Sequence, residues 1–382
     1  MLKRALLGLA LVAIAIGSEI ALPVLIPDTA FRQLVMTALV SVVIALSLNV
    51  INGMAGQFSI GHAGFVGIGA YTSAIVASHI HQSLGARDFT FANSFIVMPP
   101  AIIAAALVAG AFGFLVGLPS LRLKGDYLAI VTLGFAEIVR LLIATAQPSS
   151  TEGISAILGK LGGQQGYGGP DDSGVAQYGG PFWIVGGVIL MTIIAWRLKF
   201  SGWGRALRAL REDEIAASAV GVDPTSYKVT SFVISAMGGG IAGALLACMR
   251  DGNPTVQPEQ FNFFFSFDAI TMVIIGGSGS VSGAVLGGIF VTVTVKAIEQ
   301  LQRLDAVETF RAAHPDFDLN ALRMVVYASV LILLMVLRPS GIFGENEIVK
   351  VKKPELTPPS RGPRSRGPSS RDPSEADAEA AT

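Results

Sequence analysis

The sequence predicts an all-α protein, a polytopic membrane helix bundle of about ten transmembrane spans. Three observations predict it. Charged residues make up only 14% of the chain, against roughly 25% in a soluble domain. Hydrophobic residues reach 52% and the mean hydropathy is +0.61. Apolar runs long enough to cross ~30 Å of hydrocarbon recur along the whole chain. A chain of 382 residues with so little charge cannot cover itself against water, so lipid is its expected solvent. The formal net charge is zero, which leaves no global basic field to attract nucleic acid.

The spans are expected near residues 5–26, 33–52, 62–80, 95–117, 126–146, 182–198, 229–249, 263–279, 282–299 and 320–338. The first begins after Lys3 and Arg4 as a signal peptide does. Its apolar run is longer than the ~7–15 residues of a signal core, no small-residue cleavage site closes it, and a second span follows at once. It is therefore read as a retained helix. Ten spans put both termini on one side. With that side cytoplasmic, 18 Lys and Arg fall inside, among them Arg122, Lys124, six in 197–228 and seven in the tail, against 6 outside. The positive-inside rule supports this orientation.

The spans and their connections are expected to form a membrane unit over 1–343, with a basic cytoplasmic loop at 199–228 and a Gly-, Ser- and Asp-rich external loop at 147–181. Residues 344–382 are rich in Pro, Ser, Arg and Glu. Such a segment buries too little apolar surface to offset chain entropy and is expected to be a disordered cytoplasmic tail. The single cysteine, Cys248, sits in an apolar run as a small packed hydrophobe, and rules out an intrachain disulfide. His79 and His81 are too few for a metal site, and no other metal constellation stands out.

Of the 44 glycines, Gly113 and Gly117, Gly239 and Gly243, and Gly283 and Gly287 are spaced four apart, which places small residues on one helix face for close packing. Two stretches fit a broken helix lining a cavity: Gly276-Gly277-Ser278-Gly279-Ser280 and the run from Gly61 through His62, Gly64 and Phe65 to Gly69. Together they suggest an internal repeat. Glu137 and Arg140, three apart in the fifth span, are placed to neutralise one another; a structural ion pair is the plain reading, a gating or substrate role the sharper one. Glu19 has no obvious partner.

Residues 201–228 are the most informative. Positions 204–220 read as one helix or two short ones, with Arg205, Arg208 and Arg211 on one side and Leu207, Leu210, Ile215 and Val220 on an apolar side. Gly221 and Pro224 end the helix. A short amphipathic segment of this kind suits a groove on another protein; the competing reading lays it on anionic membrane lipid.

Glu214-Ile-Ala216-Ala217-Ser-Ala-Val-Gly221 resembles the glutamate–alanine–alanine–glycine coupling loop of bacterial ABC importer permeases, and Gly204 to Arg211 resembles its lead-in in the branched-chain amino acid permeases of LivM type. Gly56-Gln57-Phe58-Ser59-Ile60-Gly61-His62-Ala63-Gly64-Phe65, Leu123 to Leu133, and Ile275 to Gly287 resemble three further motifs of that family, in order. The resemblance covers roughly residues 35–340.

That resemblance implies an ABC importer permease fold, a non-catalytic subunit in the bacterial inner membrane. Its implied partners are a second homologous permease, two ABC ATP-binding subunits that hold ATP and Mg, and a periplasmic or lipid-anchored substrate-binding protein. It assigns Arg208, Arg211, Glu214, Ala216, Ala217 and Gly221 to the ATPase contact. Gln57, Ser59, Gly61, His62, Gly64, Phe65, Gly276, Gly277, Ser278 and Gly279 go to the translocation path or its gate. The chain itself is expected to bind no cofactor: it has no Gly-x4-Gly-Lys-Ser/Thr, and Gly153 to Lys160 is one residue too long and followed by Leu161. The cargo reading is branched-chain or related amino acids, with urea, short amides or another small polar solute as the alternative. An ion-coupled secondary transporter would show more intramembrane carboxylates and no docking loop, and an enzyme subunit would show a nucleophile–base or metal constellation.

Overall fold

A computed structural model of the chain describes residues 2–85, 90–120, 126–146, 161–170 and 174–302, with isolated positions between 325 and 347. The helices are α1 (Leu2–Leu25), α2 (Thr29–Asn49), α3 (His62–Leu84), α4 (Phe91–Ser120), α5 (Asp126–Ala144), α6 (Pro181–Phe200), α7 (Gly202–Glu212), α8 (Glu214–Ala219), α9 (Pro224–Ala247), α10 (Phe263–Gly276) and α11 (Val281–Gln302). Seven, counting α2 with its extension to Met54, are long and apolar enough to cross a membrane, and two shorter apolar helices accompany them. These nine match nine of the expected spans. The tenth, 320–338, lies outside the described residues apart from isolated positions, as do Gly153–Lys160.

Local chemistry sets the boundaries. The Ala30 N–H donates to the Asp28 side chain 3.0 Å away, capping α2. Gly85 closes α3 in the left-handed region at φ 57°. Pro181 and Pro224 occupy first-turn positions, where a missing N–H is harmless. Asn262 caps α10 by accepting from the Phe265 N–H. α2 does not stop cleanly: after Asn49 it widens into a π-turn over Val50–Met54.

α2 is the axis of the bundle, buried along most of its length, with α11, α9, α6 and α10 around it. α9 packs against α4 and α3. Lipid tails are as apolar as leucine, so close backbone approach rather than apolar burial holds such helices together. The glycine pairs do lie at these crossings. Gly239 faces His62 and Phe65, while a Cβ on Gly243 would overlap the Val66 carbonyl. Gly113 and Gly117 meet Ala236 and Phe232, and Gly283 and Gly287 meet Gly276 and Met272 across the α10–α11 hairpin.

The expected external loop is partly a packed cap. Tyr167 pairs with Val256 and Gly179 with Met249 as isolated bridges, and Tyr178 is fully buried, its hydroxyl 2.9 Å from His81 Nδ1. Glu19 has partners after all. It meets Arg250 at 2.6 Å and accepts from the Phe182 N–H at 3.0 Å, at the start of α6. These partners are more than 160 positions away, beyond the reach of local pattern.

The crossing of α3 and α9 gives a direct test. Gly243→Val should lower stability by about 3 kcal/mol, because the new side chain meets backbone that cannot yield. Gly186→Ala, where nothing lies within 4 Å of the added carbon, should stay within about 0.5 kcal/mol of wild type in a detergent melting series.

Candidate functional site at the broken helices

Among the described residues the membrane helices break at 55–61 and 277–280, and Arg211 of the short helix α7 touches both places, at Gly56 and at Gly279. α7 starts at Ser201, whose hydroxyl accepts from the Gly204 N–H at 3.0 Å. Asp213 adopts an extended conformation at φ −152° and splits the segment, its Oδ1 accepting from the N–H groups of Ile215 (2.9 Å) and Ala216 (3.0 Å). The segment is therefore two helices. Gly221, at φ +91°, makes the exit in a conformation only glycine takes without strain. Asp223 then caps α9 through Thr225 and Ser226, and Trp203 stacks on Tyr227 at 5.8 Å.

The apolar side expected for this segment divides in two. Leu207 and Leu210 are buried in the chain, as is Ala217, whereas Ile215 and Val220 are 83% and 80% exposed. Ala216 is exposed beside them. Splitting at Asp213 rotates α8 relative to α7, which is why one continuous helical face mispredicted the grouping. Ala217 thus faces this chain, not outward. Glu214 is half-exposed and paired with Lys228 at 2.8 Å.

The arginines turn to backbone carbonyls. Arg205 reaches Phe200 at 3.4 Å, and Arg208 reaches Lys199 at 3.3 Å, at the end of α6, where cations complement the helix dipole. Arg211 donates to the Gly53 carbonyl in the π-turn at 2.8 Å. Its aliphatic stem lies over Gly56, where any Cβ would collide with it.

The first break runs from 55 to 61. Asn52 ties it down, donating to the Ser59 carbonyl (3.3 Å) and accepting from the Ser59 N–H (3.2 Å). The Ile60 N–H donates to Thr132 of α5 at 3.2 Å, and Gly61 lies against the Thr132 carbonyl. His62 opens α3, with Nε2 2.8 Å from the Ser47 hydroxyl. Gly64 abuts Ala136, and Phe65 packs between Phe135 and Phe232 at 5.3 and 5.6 Å. Gln57 is buried with neither amide atom hydrogen-bonded.

The second break is the turn between α10 and α11. Gly277 and Gly279 take φ 113° and 85°, Gly276 touches Gly283, and Ser278 is exposed. Asn49, fully buried, accepts from the Gly279 N–H at 2.8 Å and donates to the Ser280 carbonyl at 3.0 Å. The glycine turn therefore meets the π-turn at the end of α2, where Gly53 and Gly279 come into backbone contact, while the Gly61–Gly69 run packs instead against Thr132, Ala136, Phe261 and Gly240. Glu137 and Arg140 do not belong to this cluster. They pair at 2.8 Å on α5, and Glu259 joins Arg140 at 2.8 Å from the loop before α10.

A further carboxylate arrives from beyond the last expected span. Glu347, counted with the tail, is buried together with Lys199, and the two meet at 2.6 Å. Glu347 also accepts from the Val281 N–H (2.8 Å), the Ser282 N–H (3.0 Å) and the Ser282 hydroxyl (2.6 Å), closing the start of α11. Asn49, Asn52, Lys199, Glu259 and Glu347 escaped the sequence reading. Only Asn49 and Asn52 left a signal, as amides interrupting an apolar run.

Among the described residues no group of three or more His, Cys, Asp and Glu could hold a metal.

Two outcomes follow. Asn49→Leu strands the Gly279 N–H and the Ser280 carbonyl, and should lower stability by about 2–4 kcal/mol in thermal melts. Burial pushes the Glu347 carboxyl up, but Lys199 and the Ser282 and Val281 donors outweigh it and hold it below its ordinary 4.5. A carboxyl lower in the folded state stabilises the fold above pH 4.5 and loses that contribution as the pH falls through its depressed value. Glu347→Gln should therefore flatten the acid limb of the melting temperature measured from pH 7 to pH 3.

The family model described as branched-chain amino acid transport system / permease component matches residues 30–335. The chain is 34% identical over 361 residues to the high-affinity branched-chain amino acid transport system permease protein LivM of Salmonella typhimurium, covering 89% of this chain and 75% of that protein. It is 28% identical over 346 residues to a probable LivM permease of Methanocaldococcus jannaschii, covering 84% and 92%. It is also 24% identical over 312 residues to the LivH permease of Salmonella typhimurium, covering 81% and 92%. No solved structure matches. With the match spanning both breaks and the helix pair beneath them, this multi-pass membrane chain belongs to the branched-chain amino acid transport system permease component family.

Proposed function

We propose that the chain is one of two membrane subunits of an ATP-driven importer of branched-chain or chemically similar amino acids. It sits in the bacterial inner membrane with both termini cytoplasmic and pairs with a second, related permease. Two ATP-binding subunits dock beneath the pair with ATP and Mg, and a soluble or lipid-anchored binding protein delivers cargo from the other side. This subunit performs no chemistry itself.

The observation that carries this reading is the exposed pair made by Ile215 on α8 and Val220 at its C-cap. The six-residue α8 is fixed by Asp213 at its start and Gly221 at its exit, and sits on buried Leu207, Leu210 and Ala217. Two large apolar side chains held outward on a rigid base make a knob for a groove on another protein. Family membership supports the same assignment, since relatives matched over most of the chain are named as permease proteins of transport systems. Motion of the docked subunits passes through α7, whose Arg211 grips the π-turn of α2, to the two breaks.

Purification of the tagged chain in mild detergent should recover a second permease and two ATP-binding subunits. The double variant Ile215→Asp, Val220→Asp should insert normally but lose most of the ATP-binding subunits, because each buried apolar side chain contributes about 1.5–3 kcal/mol, roughly tenfold or more in affinity. Undiminished recovery of those subunits would remove α8 from the interface. Glu214→Arg is a poorer probe, since it also breaks the internal pair with Lys228.

A further inference from the structure

Among the described residues the Gln57 amide and the Tyr71 hydroxyl are buried without hydrogen-bond partners, so neither has a defined neighbour to act on. The Lys199–Glu347 link has defined partners on both sides.

Lys199 lies in the last turn of α6, three residues before α7 begins. Val281 opens α11, directly after the glycine turn. One oxygen of Glu347, Oε1, takes both the Lys199 ammonium (2.6 Å) and the Val281 N–H (2.8 Å). The other takes the Ser282 hydroxyl and N–H (2.6 and 3.0 Å). α6 and α11 therefore share a single carboxylate, and neither can shift against the other without parting from it. Both charges are shielded, with side-chain exposures of 7% and 6%. Removing one partner of such a pair leaves the other charge buried and unpaired, so the link resists opening.

Two other ties act on the same turn. Asn49 of α2 holds Gly279 and Ser280, and Arg211 of α7 lies against Gly279 and holds Gly53. Of the three, only the Glu347 tie comes from chain beyond the last expected span.

We propose that Glu347 is a positioning residue that joins the end of α6 to the start of α11, so that displacement of α7 is delivered to the α10–α11 turn. The proposal rests on the reading of α7 and α8 as the ATPase-driven segment. It makes Glu347, counted with the tail, part of the moving machinery. A simple cap on α11 would stabilise that helix without carrying motion, and the two roles separate experimentally.

The test uses the assembled transporter of the full chain with its partner subunits in liposomes, in a Cys248→Ser background. A spin label is attached at the exposed turn through Ser278→Cys, and spectra are compared without nucleotide and with ATP plus vanadate. In the otherwise native chain, nucleotide should shift the label. In Glu347→Gln and in Lys199→Met, the shifted population should fall about tenfold, within the coupling range of a residue linking two sites. Hydrolysis of ATP and recovery of the ATP-binding subunits should stay within about twofold of the native chain. Equal shifts in native and variant chains would overturn the role of Glu347 and leave the coupling reading standing. No shift in the native chain would instead overturn the coupling reading. Loss of hydrolysis and assembly in both variants would make Glu347 a structural cap and nothing more.

Discussion

The bond pair that Asn49 makes to the α10–α11 turn is the interaction on which the site depends. Inside a bilayer, an unsatisfied backbone group costs several kcal/mol, so a helix breaks only where something else completes its hydrogen bonds. Asn49 supplies one donor and one acceptor at the turn, to the Gly279 N–H and the Ser280 carbonyl. Asn52 does the same for Ser59 at the other break. Both amides come from the end of α2, so the central helix of the bundle also stabilises its two discontinuities. The π-turn that follows Asn49 presents the Gly53 carbonyl to Arg211.

This arrangement explains why the charged residues are where they are. A chain with 14% charge places several of its charges at helix ends. Glu19 receives the start of α6 and is neutralised by Arg250. Glu347 receives the start of α11 and is neutralised by Lys199. In each case an anion meets the positive end of a helix and a cation compensates it, which lowers the penalty of burying either charge alone. Arg205 and Arg208 meet the opposite, negative end of α6 through the Phe200 and Lys199 carbonyls.

Rigidity and mobility are divided accordingly. The α3–α4–α9 packing is made of backbone contacts at glycine, with Gly69, Gly240 and Gly243 in the seams, and such contacts do not deform gradually. The two breaks, by contrast, are held by a small number of directional bonds to side chains. Under the proposed coupling, a push on α7 would reach the turn at Gly276–Ser280 before it deforms the bundle. The knob at Ile215 and Val220 stands outside both, at the end where that push would be applied.

How much of this could be read in the sequence depends on the range of the cause. Nine of the span positions, the glycine seams, the break at Gly276–Ser280 and the exit from α8 at Gly221 were legible, because apolar length, four-residue spacing and left-handed backbone are properties of a few neighbouring residues. So was the Glu137–Arg140 pair, one helical turn apart. The first break was misplaced, since the Gly61–Gly69 run expected to interrupt a helix lies from His62 onward inside a continuous α3, and the break precedes it at 55–61. The fold class and the family followed from the same local signals. The rest belongs to tertiary structure. Only the folded chain brings Asn49 to Gly279, Glu19 to Arg250 and Lys199 to Glu347, pairs separated by about 150 to 230 positions. Only the kink at Asp213 decides that Ile215 and Val220 point out while Leu207, Leu210 and Ala217 point in. Hydrogen-bond partners at a break and the facing of a short helix are set by whichever element packs alongside, and no local pattern records that neighbour.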